Sequence, residues 1–400
     1  KGYPLSIRYI FYPILKNKIY GTWGHMIDII AVLGTLFGIA TSLGLGAMQI
    51  NSGLSHIFGI PNSVLIQISI ILIVTIFTMV SVVSGLNKGV KFISMANIIA
   101  AGALLLFIVI FGPTAFIFKS FLQNTGHFLQ NFIELSFWNA AFTEIDWQSK
   151  WTIFYWSWWI AWSPYVGMFI ARVSRGRTIR EFIIGVLLIP SLLSFFWMSA
   201  FGSSAISMDL HGNTLVQEAV HNNVSSTLFV FLDQYPLGMI VSGVAVIVVM
   251  LFFITSADAG SLVIDMITSG GSTQTPAWQR IFWSLLEGGA AAILLLGGGL
   301  LALQTAALSM ALPFAIVMLL ICYSLYKGLS DEANAAENME SDNTNNNDTR
   351  EDDPNIGDTT GEDTEEEIKI DKKDTQKKRK AKSTTKKSKK TKTLKSMKTR

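Results

Sequence analysis

The sequence predicts an all-α polytopic membrane protein. Half of its 400 residues are hydrophobic and only 15% are charged, and about half of the lysines and arginines lie after Ile368, so the remainder is more apolar still. Eight apolar stretches approach the ~20 residues that cross a bilayer as helix: roughly 27–50, 64–84, 93–118, 152–171, 182–205, 237–256, 281–303 and 306–326. In hydrocarbon a backbone has to bond to itself, which makes helices the default for runs of this length. Strands of a membrane barrel would be shorter and alternating.

The connections set the orientation. The N-terminal stretch carries Lys1, Arg8, Lys16 and Lys18, and every second connection after it is basic: Lys88 and Lys91, then Arg172, Arg175, Arg177 and Arg180, then Arg280, then the tail. The intervening connections hold little beyond Lys119 and Lys150. The positive-inside bias places both ends in the cytoplasm of a cell-membrane protein, as an even number of spans requires.

The elements follow in order. Residues 1–26 read as a cytoplasmic linker, and because Lys1 opens the chain without a signal-peptide pattern, the start is read as lying mid-protein. Residues 27–327 form the transmembrane domain. Within it, Phe121, Leu122, Phe128, Leu129, Phe132 and Ile133 recur at helical spacing opposite Gln123, Asn124, Gln130 and Asn131, which predicts a helix lying on the membrane surface over 119–136. The outer connection at 207–236 is a folded lid or a plain connector. From residue 328 acidic and amide residues dominate, then Lys377–Arg400 is basic without an acid, so 328–400 is expected to be a disordered cytoplasmic tail whose basic end suits anionic lipid headgroups. Cys322 is the lone cysteine, so the chain holds no internal disulfide.

Three constellations carry chemistry. From Phe154 to Gly167 the chain places four tryptophans in the seven residues Trp156 to Trp162, inside a span rather than only at its end. Trp158 and Trp162 share a helix face, and Trp159 stands about 100° around from Trp158. Pro164 removes a backbone donor and frees the carbonyl of Ile160, which predicts a broken helix lining a cavity. Aromatic faces beside such a cavity suit a cation that cannot donate hydrogen bonds, each contact giving ~0.5 to 2 kcal/mol. A deep interfacial aromatic belt is the competing reading. The second constellation, Phe252 to Ser261, puts Thr255, Ser256 and Asp258 at the inner end of a span, offering hard oxygen ligands, although hydroxyls in membrane helices often bond their own i−4 carbonyls. In the third, Gly34 and Gly38 form a GxxxG packing face, with Thr35, Thr41 and Ser42 beside it. Glu287 and Asp265 are intramembrane acids near span ends, where snorkelling or a helix-end role is expected.

Trp156-Ser157-Trp158-Trp159-Ile160-Ala161-Trp162-Ser163-Pro164, continued by Gly167 to Arg180, closely resembles the signature of the betaine/carnitine/choline transporter family. Thr255 to Asp258 and Ser42 to Gly46 resemble two further family segments in the expected order, and the resemblance covers about 1–327. It implies the inverted five-plus-five helix repeat of sodium-coupled amino-acid symporters, with the first repeat incomplete and this chain beginning after the fourth span. It implies secondary active import of a quaternary-ammonium solute, glycine betaine foremost, driven by a cation gradient for osmoprotection. Proton-coupled choline uptake and carnitine/betaine exchange stand as alternatives.

By position in that family, Trp159 is the wall of an aromatic box, with Trp158, Trp162 and Phe154 lining the site and its route. One cation position corresponds to the Phe252 carbonyl with the hydroxyls of Thr255 and Ser256. A second corresponds to Thr35 and Tyr165, but Ile39 stands where another threonine is expected and offers no oxygen. Na⁺ is the expected coupling ion with H⁺ left open, no cofactor is expected, and the family is typically trimeric. Against rival classes, His25, His56, His127, His211 and His221 are scattered, without a nucleophile-and-base arrangement for an enzyme. A nucleic-acid role fails because the basic tail lacks interleaved aromatics. A channel or receptor shares the GxxxG face and basic tail, and accumulation against a gradient separates it from a carrier.

Overall fold

The computed structural model describes residues 2–84, 89–143 and 146–351. Lys88 and the basic end Lys377–Arg400 therefore lie outside the described residues. Short 3-10 turns at Ile7–Phe11 and Lys16–Tyr20 lead into α1 (Thr22–Phe58), α2 (Val64–Ser84) and α3 (Lys91–Phe111). Next come α4 (Thr114–Gln130), α5 (Phe132–Phe137) and α6 (Ile153–Val173). They are followed by α7 (Ile179–Leu210), α8 (Leu215–Asn222), α9 (Thr227–Leu232) and α10 (Gly238–Thr268). A final helical run, Ala277–Glu351, is bent at Gly298 and Gly299, the latter at φ 58°, into arms α11 (277–297) and α12 (300–351).

Six of these helices are long and apolar enough to cross a membrane by length and composition, the last of them being the bent run. The sequence reading expected eight spans, and α6 with its tryptophans is not among these six. The chain divides into two compact units after Ser330. In the second unit helix is present to Glu351, so the described part of the acidic segment is helical, whereas its composition alone reads as disordered.

In the first unit α10 is the central rod, packing against α1, α2, α3 and α6. The main core gathers Ile39, Leu43, Ile254, Val263 and Phe314, and a second core joins Leu104, Ile108, Ile117, Phe229 and Ala245 of α3, α4, α9 and α10. Without a hydrophobic drive between helices in lipid, such rods associate through close contact at small residues. Gly46 admits the ring of Phe253, and Gly260 admits the Cδ1 of Ile39.

The predicted boundaries shift at three places. The 93–118 run ends at Phe111, because Gly112 is extended and Pro113 starts a new amphipathic helix. That helix, α4, and the short α5 occupy the stretch read as a surface helix, and Asn124 on its polar face donates to the Ser203 hydroxyl of α7 at 3.0 Å. At the other end, α10 runs on to Thr268 rather than stopping near residue 256, because Asp258 and the seven residues from Ser261 to Ile267 are buried in helix contacts. The outer connection at 207–236 is folded, with Phe229, Phe231 and Leu232 in the second core. Burial there pushes the Tyr235 hydroxyl up to about 12.

The first residues are tied down. Asp28 accepts from the Ser6 hydroxyl at 2.7 Å, from Arg8 Nε at 2.5 Å and from the Arg8 backbone N–H at 3.1 Å. Ser324 of α12 donates to the Ile10 carbonyl at 2.7 Å, and Pro4 and Leu5 fill the space beside Gly271, whose φ is +92°. The segment therefore clasps the start of α1, the turn after α10 and the α12 arm. Replacing Asp28 with Ala strands the Arg8 guanidinium and the Ser6 hydroxyl. Since Arg8 keeps some solvent, we expect a loss near the lower end of the range for charged hydrogen bonds, about 2 kcal/mol. Denaturation of the detergent-solubilised protein measures it, and a wild-type transition would show that the clasp contributes nothing.

Candidate functional site

Helix α6 holds the aromatic signature, and two features of α1 fix its place. A Cβ at Gly34 would lie 3.1 Å from the Ala161 carbonyl oxygen, and one at Gly38 would lie 3.2 Å from the Trp162 backbone nitrogen. The GxxxG face therefore brings the α1 backbone directly onto the tryptophan helix. There the Trp158 indole N–H donates to the Gly38 carbonyl at 3.1 Å and to the Ser42 hydroxyl at 3.2 Å. Phe154 is buried one turn away and stacks on Trp158, with ring centroids 5.7 Å apart and planes within 8°. Those two residues form an anchored aromatic pair.

The remaining aromatics are differently placed. Trp159 is 61% exposed, with its ring 6.2 Å from that of Trp162. Trp162 is half-buried and packs edge-on to Tyr165 at 5.1 Å. The indole N–H of Trp162 is buried without a partner. The structure thus sorts the four predicted substrate residues into an anchored pair, Phe154 and Trp158, and an open pair, Trp159 and Trp162.

The helix break predicted at Pro164 is absent. Residues Ile153–Val173 form one α-helix with the proline inside it. The reason is local: the Ser163 hydroxyl donates at 2.8 Å to the Ile160 carbonyl, the acceptor that proline leaves without its N–H. That satisfies the freed carbonyl within the helix. Serine before the proline was the available signal.

Of the five predicted cation-site residues, the structure gives two neighbouring groups. Thr255 donates to the Phe252 carbonyl at 2.9 Å, so two of the expected oxygens already adjoin. Ser256 of α10 neighbours the buried Tyr165 of α6. Thr35 is fully buried and its hydroxyl has no partner, while Ile39, one turn on, is fully buried. Thr41 is engaged elsewhere, bridging Phe37 and Leu303 carbonyls at 2.8 and 2.9 Å.

Of the two acids, Glu287 departs from the sequence reading. Glu287 does not snorkel: it is fully buried and accepts from the Ser261 hydroxyl at 2.7 Å. Asp265 is also buried and accepts from the Thr275 hydroxyl. Asp265 keeps the helix-end position read from the sequence, close to the end of α10 at Thr268, whereas Glu287 lies in the middle of α11.

The fold is thus a bundle of apolar helices long enough to cross a membrane, with the anchored aromatic helix α6 packed against α1 and the central α10. The sequence profile of the betaine/carnitine/choline family of transporters matches residues 1–334, and the chain belongs to that family. A glycine betaine/proline/choline transporter of Vibrio parahaemolyticus is 48% identical over 333 residues, covering 83% of this chain and 60% of the relative. The glycine betaine transporter OpuD of Bacillus subtilis is 47% identical over 337 residues, 83% of this chain and 65% of the relative. A glycine betaine transporter of Acinetobacter baylyi is 46% identical over 327 residues, 82% of this chain and 49% of the relative. The chain thus spans between about half and two thirds of those relatives' length.

Replacing Ser163 with Ala leaves the Ile160 carbonyl without its hydroxyl. We expect a stability loss of about 1 kcal/mol together with faster amide exchange over residues 160–168. Unchanged exchange in this variant would show that the hydroxyl is not what keeps α6 continuous.

Proposed function

We propose that this chain forms the larger part of a secondary active importer of a small quaternary-ammonium solute, with glycine betaine as the substrate. The observation that carries this reading is the open aromatic pair. A trimethylammonium group has no hydrogen to donate, so the face of an indole attracts it through the ring quadrupole rather than through a hydrogen bond. Trp159 presents such a face, with Trp162 beside it, on a helix whose position is set by Trp158 and the glycines of α1. Family membership and three relatives named as glycine betaine transporters point to the same solute class.

Coupling to a cation gradient follows as part of the proposal. The Phe252 carbonyl with the Thr255 and Ser256 hydroxyls supplies hard oxygens for Na⁺, and the adjoining position of Thr35 and Tyr165 lacks an oxygen at Ile39. One Na⁺ at the first position is the reading that these oxygens favour. The orientation with the N-terminal segment and the tail in the cytoplasm of the cell membrane rests on the basic connections, and the Lys377–Arg400 segment suits anionic lipid. A trimeric assembly belongs to the same proposal by family resemblance.

The test is uptake by the full-length transporter in proteoliposomes. The wild type should accumulate glycine betaine against its gradient with saturable kinetics when Na⁺ is high outside. Trp159→Leu should raise KM by about 3- to 30-fold, the factor equivalent to one cation–π contact, at normal expression. An unchanged KM would refute the role of Trp159, and dissipation without accumulation would assign a channel.

A further inference from the structure

The sequence leaves the outer connection at 207–236 as a lid or a plain connector, and the proposed transport site makes no use of it. Its two ends are tied to each other, since the Asn213 side-chain amide donates to Gln234 Oε1 at 2.8 Å, so α8, α9 and the turns beside them form one folded strap. Apolar contact seats the strap: Phe229 is fully buried, and its ring fills the space that a side chain at Gly53 of α1 would take. Phe231 and Leu232 are buried beside it, in the second core with residues of α3, α4 and α10. Two polar contacts then reach the end of α1. Asn223 donates to the Ser52 hydroxyl at 3.3 Å, and His56 Nε2 lies 2.6 Å from Asp233 Oδ2.

Of these contacts only the last changes with conditions. The His56 ring is stacked on Phe229, with centroids 6.2 Å apart, and the side chains of His56 and Asp233 keep 26% and 40% exposure, so a proton reaches the imidazole without unfolding. Histidine is the side chain that ordinarily changes charge between about pH 5 and 8, where an aspartate stays ionised. Protonation turns one hydrogen bond into a hydrogen-bonded ion pair, which holds more strongly. The surroundings offer few competing charges. Residues 29–55, 59–84, 92–111 and 238–254 of the packed helices carry no titratable side chain. On the strap, His211 bonds the Ser207 carbonyl at 2.6 Å and Glu218 accepts from Thr214 at 3.0 Å. Asp209, His221 and Tyr235 complete its titratable groups, and α4 adds Lys119 and His127. Among the described residues none of these forms an ion pair with His56 or Asp233.

We infer that the His56–Asp233 pair is a proton-sensitive latch that holds the strap to the end of α1, more tightly in an acidic medium. Below the histidine range both members are charged, and the pair adds to the hold of Phe229. As pH rises through that range the imidazole loses its charge, the latch keeps only a hydrogen bond, and the strap opens more often. The apolar seat does not titrate, and a partly exposed pair is screened by water and salt, so the change in the opening equilibrium is about threefold. The inference does not require the substrate or coupling assignment, because its test reads the strap itself.

The experiment is amide hydrogen exchange of the purified full-length transporter in lipid nanodiscs at about pH 5.5 and about pH 8, with ionic strength constant and labelling times scaled to the intrinsic pH dependence of exchange. In the wild type, residues 215–236 should be about threefold better protected at the acid pH, and high salt should shrink the difference. His56→Gln keeps a hydrogen-bonding side chain without the charge and should remove the difference, as should Asp233→Asn. A melting curve at both pH values accompanies each variant, and if His56→Gln does not fold, Asp233→Asn decides. Equal protection of the wild-type strap at the two pH values would overturn the inference. So would the full wild-type difference in a folded variant of either residue, which would assign it to His211 or His221 instead.

Discussion

Backbone contact between α1 and α6 is the constraint on which the site depends. Lipid tails are as apolar as leucine, so two helices in a membrane gain little by burying apolar surface against each other, and association rests on close packing and hydrogen bonds. Gly34 and Gly38 supply the closeness, with the backbone of Ala161 and Trp162 standing where side chains would otherwise be. The same contact brings the Gly38 carbonyl within reach of the Trp158 indole, at 3.1 Å. With Trp158 anchored, the helical geometry of α6 turns Trp159 away from α1. The exposed aromatic face of Trp159 is thus set by glycines on a different helix.

Many hydroxyls inside the bundle follow one rule, although those of Thr35, Ser204 and Ser242 are buried without a partner. Hydroxyls bond carbonyls or one another, as Ser163 does on Ile160, Thr41 on Leu303 and Ser324 on Ile10. Such bonds contribute about 1 kcal/mol each, enough to offset a lost backbone partner. Asp258, Asp265 and Glu287 each keep one buried carboxyl oxygen without a partner. Burying an unpaired carboxylate costs several kcal/mol even after relaxation, which a single serine bond cannot offset. That imbalance of magnitudes is why intramembrane acids mark ion or proton positions rather than ordinary packing.

Much of the architecture was legible in the sequence, because span length and apolar runs report directly on helices in a membrane. The apolar helices and their order, the glycine face of α1 and the amphipathic stretch after α3 all follow from local pattern. What failed was reasoning that stopped at one helix. Pro164 predicts a break by itself, and only the hydroxyl of the preceding serine, folded back on Ile160, keeps α6 continuous. Asp258 and Glu287 look like span ends in a linear reading. Their burial comes from Ser81 and Ser261, reached across helices and far apart in sequence. Likewise, Phe154 and Trp158 read as site residues, and only the packing separates them from the open pair.

The central claim is that the face of Trp159 on α6 receives a quaternary ammonium. The most direct measurement is a structure of the full-length transporter determined with glycine betaine bound. The account predicts density for the trimethylammonium group within ~6 Å of the Trp159 ring centroid, with Trp158 still bonded to Gly38. Substrate density remote from α6, with Trp159 facing lipid, would contradict it.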